Sequence, residues 1–466
     1  MKHVEKPGIR IEEAKPIFKL TGAKSRSPTP GVPPRPILSS RSSSVSNPDI
    51  LTDGDLTYCR ISCHCKLSDM RVVFRTAALP IHSYICHCNT CRHNTGQMGF
   101  YTVKIEGPPL EVDSDDRVNV EILQKYEPAD QPGVVRYFCP TCSAMVLASV
   151  DRLRNREGVG IAERQHYFAE DVEETPSGQV VSRVDEVVGD TEEWRVAGGA
   201  LRVSYGIIQP MYHLHVASTL DGGLADHLRV IEGRTLLRFS EGPGSAQLPV
   251  GWRSPELEGK EVKELSLYCH CGAISVKLAR PEEIARAPQA PYPDLIYPRD
   301  VTLRAKQRNP EDEKWWIRPA HHEGGKLARY LAGHCACSFC RTSSGFEFQP
   351  WGYVARAHLH EADKPKDEPL DLFHEEFRPK GLKQYVSSPG RYREFCGTCG
   401  ATAFWWNAGR PDIVLISMGL VDEKLDGVRA EHWFSWHRER VSHMEMAMAP
   451  HMVQGLQEGL KSAPAH

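Results

Sequence analysis

A short segment in the second half of the chain reads Cys335-Ala-Cys-Ser-Phe-Cys-Arg-Thr-Ser-Ser-Gly345. It holds three cysteines in the spacing C-x-C-x-x-C, followed at once by an arginine and later by a glycine. The first half of the chain contains the same spacing in Cys86-His-Cys-Asn-Thr-Cys-Arg-His-Asn-Thr-Gly96. The same spacing at two distant places indicates a duplicated unit, and the remaining cysteines test that interpretation.

Two cysteine pairs accompany each triplet, a C-x-C before it and a C-x-x-C after it. Of the 15 cysteines, only Cys59 falls outside this order. The repeats are unevenly spaced, which predicts two copies of one domain with different loops rather than a solenoid of fixed short period. The paired cysteines are Cys63, Cys65, Cys139 and Cys142 in the first copy, and Cys269, Cys271, Cys396 and Cys399 in the second.

The domain boundaries follow from the cysteine clusters and from composition. We predict a disordered tail over residues 1–50, because this segment is rich in serine and proline and holds few residues able to form a core. A first zinc domain is expected over 56–234, a linker over 235–262 and a second zinc domain over 263–450. An insertion in the second copy, residues 281–325, is rich in Pro, Arg and Glu and is predicted to be a surface excursion.

The apolar pattern inside both copies alternates mostly with period two, for example over residues 70–74, 273–278 and 413–418. Short alternating runs bounded by Gly, Pro or Asp predict half-buried strands. Helical patterns are scarce, and the longest lies at residues 444–460. The predicted fold class is therefore mainly β, with two tandem zinc-stabilised domains of short antiparallel sheets behind a disordered N-terminal tail.

Composition excludes several functional classes. The chain of 466 residues has 60 Asp+Glu against 57 Lys+Arg, so no basic surface for nucleic acid is expected. No apolar run approaches the roughly 18 residues of a membrane span, and no secretory signal is visible. We expect a cytoplasmic protein, with a nuclear location left open. Because cytoplasmic thiols stay reduced, the cysteines are interpreted as metal ligands rather than as a disulfide framework. The sequence indicates no particular protein partner.

Zinc chemistry suits both kinds of cluster. In each copy the C-x-C and C-x-x-C pairs together supply the four thiolates of a closed structural site. The triplets Cys86/Cys88/Cys91 and Cys335/Cys337/Cys340 supply three, which leaves one position open as in catalytic sites. Up to two zinc ions per domain and four per chain are predicted. In the alternative, a water or a nearby histidine completes a purely structural triplet site, the candidates being His64, His87, His270 and His334.

The second copy resembles the GFA family, the glutathione-dependent formaldehyde-activating enzymes, a family that also includes centromere protein V. The resemblance rests on the segment 335–345, on Tyr268-Cys-His-Cys-Gly272 and on Phe395-Cys-Gly-Thr-Cys-Gly400, which follows Ser387-Ser-Pro-Gly390. The first copy keeps the cysteines but has Lys66 and Ser143 where the second copy has glycines. We interpret the first copy as a partly degenerate member of the family.

The resemblance implies a β-tent fold of small antiparallel sheets and an activity in which glutathione and formaldehyde combine to S-hydroxymethylglutathione. It also implies that the zinc ions at the triplets are reactive and those at the quartets structural. The predicted function is a zinc-dependent carbon–sulfur lyase, similar to an S-(hydroxymethyl)glutathione synthase, acting on a glutathione–aldehyde adduct or a related thiol. The alternative is a non-enzymatic, zinc-stabilised binding module resembling centromere protein V.

The second copy is the predicted reactive one because it keeps the glycines. Its predicted catalytic residues are Cys335, Cys337 and Cys340, and the expected partner is a small-molecule thiol such as glutathione. Arg341 and Ser343 follow the triplet and are expected to contact glutathione, the arginine through a carboxylate. The segment Glu431–Trp436 is the expected counterpart of the histidine-containing strand His213-Leu-His215 in the first copy.

Overall fold

The computed structural model describes the following parts of the chain: residues 47–158, 172–174, 180–182, 192–260, 262–319 and 328–463. Most of the predicted tail lies outside these residues, and Ile50, at its predicted end, already belongs to a strand. Asn47–His466 forms one compact unit that contains both copies. The division of this unit into domains at 234 and 263 stays a prediction.

Short strands dominate the described residues. The strands of the first copy and its edge are β1 (Ile50–Asp53), β2 (Leu56–Ser62), β3 (Asp69–Arg75), β4 (Ile81–Cys86), β5 (Thr102–Lys104), β6 (Gln124–Tyr126), β7 (Val134–Phe138), β8 (Met145–Asp151), β9 (Val172–Glu174), β10 (Val180–Ser182), β11 (Glu192–Ala197), β12 (Ile208–Leu214), β13 (Val230–Ile231), β14 (Arg234–Thr235) and β15 (Leu237–Arg238).

The second copy continues the same architecture, and helices are few and short. Its strands are β16 (Glu264–Tyr268), β17 (Ser275–Ala279), β18 (Ile317–Pro319), β19 (Ala328–Cys335), β20 (Gln349–Ala355), β21 (Leu359–Glu361), β22 (Leu382–Ser388), β23 (Arg391–Cys396), β24 (Thr402–Asn407), β25 (Ile413–Ser417) and β26 (Phe434–Trp436). The helices of the described chain are α1 (Asn89–Thr95), α2 (Arg152–Gly158), α3 (Arg304–Gln307), α4 (Ser338–Ser344), α5 (Glu423–Asp426) and α6 (Pro450–Lys461). The prediction of a mainly β protein with short antiparallel sheets is confirmed.

Strand pairing recurs in the two copies. The antiparallel hairpin β2–β3 corresponds to β16–β17, and the antiparallel series β7–β8–β11–β5 corresponds to β23–β24–β25–β20. The strand that leads into each triplet pairs in parallel with a late strand, β4 with β12 and β19 with β26. In the second copy β19 also pairs with β20, which joins these strands into one eight-stranded sheet. Repeated pairing order supports the interpretation of a duplicated unit.

The alternating sequence pattern explains why these segments form strands. In β16, Leu265 and Leu267 are buried while the residues between and beside them are partly exposed. Successive side chains of a strand point to opposite faces, so the leucines face the core together. Burial of each leucine stabilises the fold by roughly 1.5–3 kcal/mol, and this decides the register of the hairpin.

The two copies pack closely against each other at the glycines that end α1 and α4. Gly96 and Gly345 adopt the left-handed conformation, with φ of 77° and 75°. A Cβ on Gly96 would lie 2.2 Å from the carbonyl oxygen of Thr402, and one on Gly345 would lie 2.2 Å from that of Met145. Each helix therefore ends against the other copy, and both the turn and the close approach require glycine.

The insertion of the second copy is packed into the protein, so its interpretation as a surface excursion is wrong for the described part. Trp315 and Trp316 are fully buried, and their indole N–H groups donate to the carbonyl oxygens of Ala290 and Ala285 at 3.0 and 2.9 Å. Leu295 is also buried in the core. The two tryptophans give this otherwise polar segment enough apolar surface to pack against the core of the protein.

Among the described residues, no helix is long and apolar enough to cross a membrane.

Candidate metal centres

Two groups of four sulfurs are formed by the paired cysteines. In each quartet the sulfur atoms all lie within 4.8 Å of one another. The Cys63 and Cys65 sulfurs are 3.5 Å apart, and the same spacing separates Cys269 from Cys271. All 15 cysteines are free thiols rather than disulfides. Sulfurs this close without a covalent bond are arranged as the ligands of a tetrahedral thiophilic ion such as Zn²⁺.

Backbone N–H groups point at the sulfurs of both quartets. Ser68 donates to the Cys63 sulfur at 3.4 Å, and Ile274 donates to the Cys269 sulfur at 3.3 Å. Both donors lie five residues after the sulfur that they contact, so the two knuckles have the same turn. Donation to sulfur favours the thiolate form that a metal needs.

The knuckle geometry survives in the first copy although two glycines are missing. Lys66 and Ser143 both have φ of 64°, close to the 75° and 81° of Gly272 and Gly400 at the corresponding positions. A non-glycine residue in this region costs roughly 1–2 kcal/mol. Retention of the strained conformation supports the prediction that the first quartet still binds metal.

The triplets lie at the starts of α1 and α4. Cys88 caps α1 and its sulfur accepts from the N–H of Cys91 at 3.4 Å, while Cys337 caps α4 and accepts from Cys340 at 3.3 Å. The three sulfurs of each triplet lie within 4.8 Å of one another. The structure therefore brings together every cysteine of the predicted metal sites, four sulfurs at a time in the quartets and three in the triplets.

An arginine contacts the third sulfur of each triplet, and the sequence interpretation missed it. Nη2 of Arg136 donates to the Cys91 sulfur at 3.4 Å, and Nη2 of Arg393 donates to the Cys340 sulfur at 3.5 Å. Both arginines are buried. The shared motif R-x-F-C, which begins at each arginine and ends at the next C-x-x-C pair, was the signal that could have identified them.

Burial and mutual repulsion oppose ionisation of the first cysteine of each triplet, so thiolates there need a cation beside them. Burial, followed by the neighbouring sulfurs of Cys88 and Cys91, raises the pKa of Cys86 well above its ordinary value. In the second copy the sulfurs of Cys337 and Cys340, together with burial, raise the pKa of Cys335 in the same way. Three clustered thiolates repel one another unless a positive ion lies between them. The donor set of each triplet thus fits Zn²⁺, which has high affinity for thiolates.

A histidine follows the strand position opposite the first cysteine of each triplet. Leu214 lies in register with Cys86, and Ser442 forms the equivalent parallel bridge with Cys335. The next residues, His215 and His443, both adopt a left-handed conformation, with φ of 56° and 53°. Nδ1 of His443 lies 3.9 Å from the Cys335 sulfur.

The bridge between Ser442 and Cys335 shows that the predicted counterpart of the segment His213-Leu-His215 needs correction. The segment Glu431–Trp436 supplies β26, which pairs in parallel as β12 does, but its histidine is not the equivalent of His215. His443 takes that place, seven residues after the segment ends. The sequence between them departs from a regular strand, which is why spacing alone misplaced the match.

The histidines proposed as fourth ligands have other partners. Nε2 of His87 lies 2.8 Å from Nδ1 of His213, and Nε2 of His334 lies 3.1 Å from Nδ1 of His227. These four imidazoles form two buried pairs, and burial is the first cause that lowers the pKa of each of them. The pairs are neutral at pH 7 and act as packed hydrogen-bonding groups.

The remaining two candidates cross between the copies. Nδ1 of His64 lies 2.8 Å from the hydroxyl of Tyr385, and Nδ1 of His270 lies 2.6 Å from the hydroxyl of Tyr126. Each histidine comes from the C-x-C pair of one copy and meets a tyrosine of the other. The ring of His64 also packs edge-on against Phe339, between two triplet cysteines, at 4.2 Å. The first copy therefore contributes a wall to the triplet site of the second.

The two triplets differ in the space beside them. A cavity of about 870 Å³ borders the second triplet, with Cys335, Cys337 and Cys340 on its wall and His64 and His443 beside them. The cavity that borders Cys86 and Cys91 is only about 30 Å³, close to the volume of one water molecule. The cavity beside the second triplet has room for a thiol substrate, whereas the cavity that borders Cys86 and Cys91 does not.

Arg341 and Ser343, predicted to contact glutathione, lie inside the protein instead. Arg341 is fully buried, pairs with the carboxylate of Glu347 and donates from Nη2 to the carbonyl oxygen of Gly198 at 3.1 Å. The Ser343 hydroxyl donates to the carbonyl oxygen of Phe339 at 2.7 Å. Both residues hold α4 in place, and no glutathione contact is assigned to them.

The site defines a mainly β protein with four thiolate clusters suited to zinc, one of which faces a large cavity. Residues 58–174 match the family model of the glutathione-dependent formaldehyde-activating enzymes. The match lies within the first copy, and the likeness of the second copy to the first rests on repeated cysteine spacing and strand pairing. Comparison with curated proteins gave no significant match. Comparison with solved structures gave none either.

Proposed function

We propose that the protein is a zinc-dependent carbon–sulfur lyase that acts on a glutathione–aldehyde adduct of the S-hydroxymethylglutathione type, or on a related thiol. The observation that carries the proposal is the position of Cys335, Cys337 and Cys340 on the wall of a cavity of about 870 Å³. The match of the first copy to a formaldehyde-activating family supports the reaction class. The small size of the cavity beside Cys86 and Cys91 favours the second copy as the place of the reaction.

The chemistry needs no oxidant. In the lyase direction the carbon–sulfur bond breaks, its electron pair stays on the thiol sulfur, and the hydroxyl group loses a proton as the aldehyde C=O forms. In the reverse direction the thiolate attacks the carbonyl carbon and the oxygen takes up a proton. Zinc held by the three cysteines would supply a Lewis acid that favours the thiolate form at neutral pH.

The surrounding side chains provide orientation, exclusion of water and a proton. Arg393 fixes the Cys340 sulfur through its Nη2 hydrogen bond. Phe339 and Trp351 line the cavity beside the sulfurs and limit the access of water. His443 lies at the triplet and is proposed to exchange a proton with the hydroxyl oxygen of the adduct. Asp294 accepts a hydrogen bond from the backbone N–H of His443, which holds this loop at the site.

The two quartets and the first triplet are proposed to be structural. A metal at Cys63, Cys65, Cys139 and Cys142 would connect the first hairpin to β7, and its binding energy offsets the entropy of closing that loop. The second quartet would do the same for β16 and β23. The described cavity beside the first triplet is too small for a substrate, so metal there would hold α1 against β4.

The proposal is tested by metal content and by NMR exchange between glutathione and formaldehyde on the purified full chain. About four zinc ions per chain are expected if all clusters are metallated, and about two if only the quartets are. Wild type should accelerate adduct exchange, Cys337→Ser should abolish the acceleration, and Cys88→Ser should retain it. No acceleration by zinc-loaded wild type would refute the lyase and favour the binding module. Loss in Cys88→Ser alone would place the reaction in the first copy.

A further inference from the structure

The insertion of the second copy supplies much of the cavity beside the reactive triplet. Arg299, Arg304 and Arg308 come from the insertion, and Arg391 and Arg410 face them from the sheet. The lining holds one aspartate, Asp294, against these five arginines. Such an excess of positive charge in a concave site attracts anions from solution.

Arg410 differs from the other arginines of this cavity because it is buried. Its side chain is 7% exposed, and its Nη1 atom is buried without a hydrogen-bond partner in the described part of the chain. The guanidinium carbon lies 5.2 Å from the ring centre of Trp315 and 5.7 Å from those of Tyr353 and Trp405. Burial lowers the pKa of Arg410 to about 10, which leaves it protonated at neutral pH.

Among the described residues, four of the five largest fully buried arginines have a carboxylate beside them, and the fifth, Arg393, donates to the Cys340 sulfur. Arg92 pairs with Glu423 at 3.0 Å, and Arg429 pairs with Asp226 at 3.1 Å. Among the described residues, no carboxylate lies within ion-pair distance of Arg410. Aromatic faces compensate a buried cation only in part, because they supply a quadrupole rather than a negative charge. A molecule in the cavity that the guanidinium borders can supply the missing negative charge.

Tyr353 connects Arg410 with the triplet. Its ring contacts the guanidinium, and its hydroxyl interacts electrostatically with Arg410 and with the sulfurs of Cys335 and Cys340. Arg410 and the two sulfurs therefore border one cavity, with Tyr353 beside both. A single ligand can present a sulfur at one end and an anionic group at the other.

We propose that Arg410 is the anion-binding residue of the reactive site and receives a carboxylate or phosphate group of the thiol substrate. The inference rests on the proposed function, since it names the substrate class of that same site: thiols with an anionic group remote from sulfur. Trp315, which packs on Arg410, comes from an insertion that the first copy lacks. The insertion thus makes the second copy selective for anionic thiols, and the exposed arginines at the rim steer them inward.

The test uses S-methylglutathione, which has the carboxylates but no free thiol, together with its diethyl ester and inorganic phosphate. Binding to the full-length, zinc-loaded protein is followed by tryptophan fluorescence and calorimetry. Wild type should bind S-methylglutathione at least about tenfold more tightly than the diethyl ester, which has lost both carboxylates and keeps only its ammonium charge, since the buried contact to a carboxylate is lost in the ester. Arg410→Met should lose at least the same factor, and Arg410→Lys should retain part of the affinity. Arg356→Met is the matched control, because Arg356 stacks on Phe373 but pairs with Asp412.

The unfolding free energy of Arg410→Met distinguishes a role of Arg410 in anion binding from a role in stabilising the fold. Without ligand, Arg410→Met should unfold at the same or a higher denaturant concentration than wild type, because an unpaired buried charge is removed. A preference for inorganic phosphate that depends on Arg410 would identify the anion as a phosphate and also support the site. Equal binding by wild type and Arg410→Met, equal binding of acid and ester, or no binding of either anionic probe would overturn it. If Arg410→Met does not fold, the comparison of acid and ester on wild type decides.

The same experiment distinguishes the two proposals. Exchange activity in wild type with unchanged probe binding in Arg410→Met would refute only the anion site. Binding that depends on Arg410, together with no exchange by zinc-loaded wild type, would refute only the lyase.

Discussion

Substitution of Gly345 by alanine tests whether the two copies are packed as one unit. Gly345 ends α4 with φ of 75°, and an added Cβ would lie 2.2 Å from the carbonyl oxygen of Met145 in the first copy. Gly206 is the matched control, since its φ is 77° and its Cβ would meet nothing within 4 Å. Both variants incur the strain of a left-handed alanine, roughly 1–2 kcal/mol.

In Gly345→Ala, but not in Gly206→Ala, the added methyl group also clashes with the backbone of Met145 and must displace it. Overpacking of this kind costs typically about 1–3 kcal/mol, so Gly345→Ala should lose about 2 kcal/mol more unfolding free energy than Gly206→Ala. The assay is guanidinium unfolding of zinc-loaded protein at pH 7, with the slope of each transition compared to confirm that the same surface is exposed. Equal losses in the two variants, within about 0.5 kcal/mol, would show that α4 does not end against the first copy.

Three further predictions concern charge, the proton and the metal. Although burial alone would raise it, the hydrogen bond from His93 and the charge of Arg92 lower the pKa of Glu423 from 4.5 to about 2. The ionised Glu423 therefore contributes about 3 kcal/mol to the unfolding free energy, a contribution that is complete above pH 4.5 and is lost as the pH falls to 2. Glu423→Gln should lose a similar amount of unfolding free energy at pH 7, as measured by urea unfolding. An unchanged urea midpoint would contradict the stabilising role of the ion pair between Glu423 and Arg92. His443→Gln should slow adduct exchange at least about tenfold with unchanged zinc content, whereas loss of one zinc ion would make His443 a ligand. Cys399→Ser should release about one zinc ion per chain to a chelator faster than wild type does and lower the thermal midpoint, as measured by a zinc indicator and circular dichroism.

Much of the metal chemistry was predictable because it depends on local spacing. A C-x-x-C pair brings two sulfurs to one ion whatever lies around it, and the duplicated order of seven cysteines excluded chance. Alternation of apolar residues predicted the strands for a similar reason, since period two places one face in the core. The left-handed conformation of Lys66 and Ser143 was not among these predictions, because the loss of both glycines left the geometry of the two turns open.

Other features depended on residues far apart in the chain. His443 was missed because its place is defined by a parallel bridge to Cys335, a partner more than a hundred residues earlier. Arg341 was misjudged because the carbonyl groups of the first copy that accept its hydrogen bonds are brought to it only by folding. An arginine beside a cysteine motif suggests a ligand contact, and only burial shows that it serves packing.

The sequence by itself predicted the candidate metal ligands, the repeat and the β class, because thiol spacing and side-chain alternation act over a few residues. Tertiary structure decided which triplet faces a cavity, which histidine lies beside it and what the insertion does. Trp315 and Trp316 bury the insertion against the second copy, and Arg410 is enclosed there with no carboxylate of the described residues beside it. The charge of a cavity depends on which side chains lack partners after packing, and that is a property of the folded chain.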